Sequence, residues 1–154
     1  MKNIYKSLIA GVALTAIAGA TFAQMKPEDQ IKVRQAGYRF MAWNMGKIKA
    51  NLDGQYNKEQ VVAAANVIVA TANSGMGALY GPGTDKGTGF HETQVKPEFF
   101  KEGDKVKELA MAFVKEANEL AKVAATGDAT TVKAQFGKTG EACKGCHDKF
   151  RKED

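Results

Sequence analysis

Cysteine and histidine are scarce in this chain, with two of each among 154 residues. Two cysteines leave room for one disulfide at most, which excludes the multi-bridge scaffold of small secreted domains. No Ser/His/Asp set or paired-carboxylate signature is present, and Gly81-Pro82-Gly83 lacks the lysine and following helix of a phosphate loop. No segment alternates apolar and polar residues long enough to read as a strand. The formal charge is +5, yet no basic stripe interleaved with aromatics appears, so nothing points to nucleic acid. The uncharged apolar run Leu8–Ala20 spans 13 residues, short of the roughly 20 that a membrane-spanning helix needs.

That run has another meaning. Lys2 and Lys6 precede it, and Thr21-Phe22-Ala23 follows with small residues at −3 and −1 of a cleavage point before Gln24. This is the pattern of a secretory signal peptide, residues 1–23, ahead of a mature single domain, residues 24–154, with no membrane anchor. Loss of the two lysines leaves the mature chain mildly basic. Export with a short positive n-region suggests a bacterial periplasm.

The mature chain reads as four helices. Pro27 with Glu28 and Asp29 opens the first, which ends at Asp53-Gly54. Its apolar residues are Ile31, Tyr38, Met41, Met45, Ile48 and Leu52. The second opens near Asn57 and carries Val61, Ala65, Ile68, Val69, Ala72 and Met76, with its end weakened by Gly75 and Gly77. A loop with four glycines and a proline spans Gly81–Gly89. Pro97-Glu98 opens the third helix, with an inner face of Phe100, Val106, Leu109, Phe113, Leu120 and Val123, and Gly103 reads as an irregularity within it. Asp128 caps the last, which carries Val132, Phe136, Cys143, Cys146 and Phe150. Amphipathic helices joined mostly by short connections predict an all-α, antiparallel four-helix bundle.

Both cysteines and one of the histidines fall in Cys143-Lys144-Gly145-Cys146-His147, a C-x-x-C-H motif. Residues three apart share a helix face, so each thiol can form a thioether to one vinyl group of a single porphyrin, and His147 can turn to the iron. The competing uses of such a motif are a redox disulfide, which wants a βαβ context, and a zinc site, which needs a fourth ligand such as His91. A haem held by the last helix would lie in the bundle core.

An exported bundle with C-x-x-C-H on its last helix resembles the cytochrome c′ family. The likeness is carried by Lys26-Pro27-Glu28-Asp29 with Arg34-Gln35, by Tyr80-Gly81-Pro82-Gly83-Thr84, and by the stretch from Glu141 through Cys143-Lys144-Gly145-Cys146-His147 to Arg151. C-x-x-C-H alone is common to c-type cytochromes; its C-terminal position and the Arg-Gln pair point to this family. The resemblance implies one haem c per chain, anchored by Cys143 and Cys146, with His147 as axial ligand. Arg34 and Gln35 would lie near the propionates, where a guanidinium offers paired donors. Arg151 would pack near the proximal face, and Gln94 or Thr93 would meet the haem from the loop. The alternatives are a solvated surface charge for Arg34 and a helix-dipole contact for Arg151.

The same resemblance places Tyr38 on the distal side of the iron. Low-spin relatives have a methionine ligand there, whereas members of the c′ type have a bulky non-ligating residue and five-coordinate, high-spin iron. Tyr38 fits the second group, although ligation by tyrosine exists elsewhere. Met41, nearly on the same face, reads as core. The implied role is binding of NO and CO with poor retention of oxygen, and electron transfer with an unidentified redox partner, rather than dedicated catalysis. Rival functions are a low-spin electron carrier and a haem peroxidase-like enzyme, for which His91 is the sole spare histidine and reads as a loop residue. Relatives pair through their first two helices, so the resemblance implies a homodimer, with Met45, Ile48, Leu52 and the alanine-rich second helix as the apolar face; the same residues equally suit a monomer's core.

Overall fold

A computed structural model describes residues 25–153; the proposed signal peptide lies outside the described residues. The chain forms a four-helix bundle: α1 (Pro27–Asp53), α2 (Lys58–Ala72), α3 (Gly103–Thr126) and α4 (Ala129–Phe150). Two short 3-10 turns, Met76–Leu79 and Pro97–Phe100, lie in the long connection between α2 and α3. Beyond the helices, the described residues contain two isolated bridges, Thr88 with Glu92 and Val95 with Arg151, and no sheet.

Local chemistry sets most helix boundaries. Pro27 begins α1, and Glu28 and Asp29 place negative charge on its first turn. The Asn57 side chain accepts from Gln60 N at 3.0 Å, satisfying a free N–H at the start of α2. Asn51 Oδ1 accepts from Asn57 N at 2.9 Å, so the end of α1 also fixes the turn into α2. Asp128 accepts from both the backbone N and the hydroxyl of Thr131 at 2.8 Å, capping α4.

Two expectations for the α2–α3 region are corrected. Gly103 is not an irregularity inside a helix running on from Pro97: the chain makes a 3-10 turn, Glu102 leaves the helical region at φ −108° and ψ 52°, and α3 starts at Gly103. Phe99 explains the break. Its ring stacks on Tyr80 at 4.4 Å and meets Phe150 edge-on at 5.6 Å, anchoring the turn away from the α3 axis. Met76 likewise does not extend α2, because Gly75 takes a left-handed conformation at φ 81° and starts a new turn. Met76 instead packs on α1 at Gly37, where a Cβ would come within 2.8 Å of its Cε.

Consecutive helices pack closely, while α1 and α4 meet only briefly. The two ends of the bundle differ accordingly. At the end holding the C-terminal halves of α1 and α3, Met41, Ile48, Val61, Ile68, Leu120 and Val132 form one buried cluster. Full burial of a side chain such as Ile48 or Leu120 contributes about 1.5–3 kcal/mol. Further along α4, Gln135 donates to Glu116 Oε2 at 2.7 Å and Thr139 to Glu116 O at 3.3 Å, a buried polar step against α3. Beyond it, Val106, Leu109, Cys143 and Cys146 are only half-buried. That open end holds the motif.

Candidate functional site

α4 presents Cys143, Cys146 and His147 on its last two turns, just before the helix ends at Phe150. The two thiols are free and half-buried, and burial raises the pKa of both, which keeps them protonated at neutral pH. His147 has an exposed edge, yet burial and the nearby Arg151 charge lower its pKa, with Asp148 acting the other way. A neutral imidazole with a free lone pair is the form that ligates a metal. Two unlinked thiols on one face, a neutral imidazole beside them and half-buried apolar side chains opposite fit covalent haem. A zinc site does not form: among the described residues no three His, Cys, Asp or Glu side chains gather into a metal-binding group.

Tyr38 on α1 lies near enough to Cys146 and Cys143 for both to act on its hydroxyl. Tyr38 as a residue is 40% exposed, but the protein packed around its hydroxyl makes burial the leading cause of a raised pKa. Tyr80 donates to the Tyr38 hydroxyl at 3.4 Å, and its own pKa is driven up strongly, chiefly by burial. Both are neutral phenols at physiological pH.

Arg34 is 3% exposed. Its guanidinium donates to Leu79 O at 3.2 Å, Thr84 O at 2.7 Å and Thr93 Oγ1 at 2.6 Å, and sits 4.5 Å from the centre of the Tyr80 ring. Burial lowers its pKa, with Tyr80 and Tyr38 opposing; a guanidinium stays charged regardless. Those three bonds leave at most two of its five N–H groups for a propionate. Its evident work is to clamp the glycine-rich loop onto α1. Gln35 does the same one residue on, accepting from Phe90 N at 2.8 Å and donating to His91 O at 2.9 Å. A Cβ at Gly89 would come within 2.5 Å of Gln35 Oε1, so the loop needs glycine there to lie this close.

Gln94 and Arg151 come together from positions 57 apart in the sequence. Arg151 Nε donates to Gln94 Oε1 at 2.9 Å, and Lys152 N donates to Gln94 O at 2.8 Å. Arg151 caps α4 through its own N–H on His147 O at 2.9 Å, which holds its charge beside the imidazole. His91 remains an exposed loop residue, with its Nδ1 3.2 Å from Gln35 Nε2. Met41 is 5% exposed within the closed cluster, as core packing requires.

The sequence reading overlooked three residues. Tyr80 lay within a quoted stretch, but its contact with Tyr38 joins positions 42 apart and has no local signature. Phe40 and Trp43 stack with ring centres 5.7 Å apart on the outside of α1, 50% and 58% exposed. The residues expected to form a dimer face point elsewhere: Ile48 is buried, and Met45 and Leu52 pack against the same monomer core.

A family model described as cytochrome C′ matches residues 29–151. A cytochrome c′ of Allochromatium vinosum is 60% identical over 152 residues, covering 98% of this chain and 99% of its own. Among solved structures, a cytochrome c′ described for ligand-controlled dimer dissociation is 64% identical with a TM-score of 0.81, covering 84% of this chain and 98% of that one. A nitric oxide complex of a variant cytochrome c′ from Alcaligenes xylosoxidans is 32% identical with a TM-score of 0.73, covering 83% of this chain and 98% of that one.

Proposed function

Because the chain belongs to the cytochrome c′ family and binds haem c, we propose that it is an exported, five-coordinate haem protein that takes up NO and CO. Bound haem c supplies a ferrous iron that accepts a diatomic ligand. The chain's own residues determine what else reaches that iron. Cys143 and Cys146 fasten the group to α4, and His147 supplies the one protein ligand. Tyr38 fills the distal side with a ring that stays neutral, in place of the thioether a low-spin carrier would use. Burial of Met41 in the closed cluster supports this reading over the electron-carrier alternative. Burial, with the Arg151 charge adding to it, favours a neutral His147 ready to ligate. Arg34, Gln35 and Gln94 hold the loop against α1 and the end of α4, and Arg34 retains donors for a propionate.

Two observations support pairing with a second copy. Val33, Ala36, Phe40 and Trp43 form an outward stripe on α1, and one relative is described by its dimer dissociation. Placing a charge in that stripe with Trp43→Glu is expected to give a monomer in sedimentation velocity; an unchanged dimer contradicts this face. Export to the periplasm rests on the apolar leader, which the likeness over 152 residues reaches. No helix of the described residues is long and apolar enough to cross a membrane.

The observation that carries the gas-binding reading is Tyr38 beside the two cysteines. Adding stoichiometric NO to the ferrous holoprotein is expected to shift the Soret band; an unchanged band contradicts the proposal.

A further inference from the structure

The distal tyrosine does not stand alone. We infer that Tyr80 is its positioning residue: the Tyr80 hydroxyl donates to Tyr38 and latches that ring in place, so an entering gas ligand must open this bond. The inference rests on the reading of Tyr38 as the distal residue.

The two tyrosines are held very differently. Tyr80 has the Arg34 guanidinium 4.5 Å from its ring centre and Phe99 stacked at 4.4 Å. Arg34 is itself bonded to Leu79, Thr84 and Thr93, and Phe99 is braced by Phe150. The next residue, Gly81, donates its N–H to Gln30 Oε1 at 3.1 Å. Tyr80 is therefore a fixed post. Tyr38 is 40% exposed at the open end of the bundle, and Tyr80 is the hydroxyl partner that its side chain meets. At 3.4 Å the bond is longer than the usual 2.7–2.8 Å between hydroxyls. Such a bond biases the ring toward one position and opens at small cost, as a gate requires. Burial keeps both phenols un-ionised, so the donor and acceptor roles persist across physiological pH.

The test is a double-mutant cycle on the ferrous holoprotein, read as the CO association rate after flash photolysis. Tyr80→Phe retains the ring, and with it the Arg34 and Phe99 contacts, while removing the hydroxyl. It is expected to speed association about two- to tenfold, the range of one ordinary hydrogen bond. In a Tyr38→Phe background the same change is expected to have no effect, because the bond is already absent. Equal effects in both backgrounds would mean that Tyr80 acts only through packing, and no effect in either would remove the latch; both overturn the inference. Tyr38→Ala separates this from the underlying reading. If it leaves CO association unchanged, the distal placement fails; if it accelerates association while Tyr80→Phe does not, the latch alone fails.

Discussion

Ile48, Val61, Ile68, Leu120 and Val132 bury themselves completely at one end of the bundle, whereas Val106, Leu109, Cys143 and Cys146, on the same kinds of helix, stay half-exposed at the other. The closed end is completed by its own side chains. The open end leaves apolar groups, two thiols and a neutral imidazole partly exposed, where α1 and α4 barely touch. Stability and function are thus divided along the helix axes. The closed end holds the four helices together, and the open end brings Tyr38 of α1 near the two thiols of α4.

Removing the covalent anchors should affect the open end most. Cys143→Ala combined with Cys146→Ala is expected to abolish covalent haem on a denaturing gel, and to raise amide exchange in the last turns of α4. Amides of Ile68 and Leu120 should keep their protection; equal loss at both ends would contradict the division. Leu120→Ala is expected to be the converse lesion. It should cost about 2–5 kcal/mol in urea unfolding while leaving the visible spectrum of the folded holoprotein unchanged. A smaller loss, about 1 kcal/mol, is expected for Asn57→Ala, which removes a cap at the closed end. Its CO association rate should equal that of the unaltered protein.

The two ends were also unequally legible in the sequence. Pro27, Asn57 and Asp128 announce helix starts because capping is a matter of three or four neighbouring residues. C-x-x-C-H announces covalent haem for the same reason, since its spacing alone puts both thiols on one helix face. The alternation of buried positions through Ile48, Ile68 and Leu120 follows from helix periodicity. What escaped was non-local. Arg34 reads in the sequence as a propionate partner, and its three acceptors 45 to 59 residues away, which make it a clamp on the loop as well, have no local signature. Gly103 looked incidental until Phe99 was seen anchored on Tyr80 and Phe150. On α1, Met45 and Leu52 suit either a partner or the monomer core by periodicity; they pack on the closed end, and Phe40 and Trp43 take the outer face.

In the proposed holoprotein the iron takes one ligand from the chain, His147, with Tyr38 opposite and not bound. Electron paramagnetic resonance of the ferric holoprotein at neutral pH, taken with its near-infrared absorption, tests this most directly. A high-spin signal and no methionine-to-iron charge-transfer band are expected. A low-spin signal accompanied by that band would contradict this coordination.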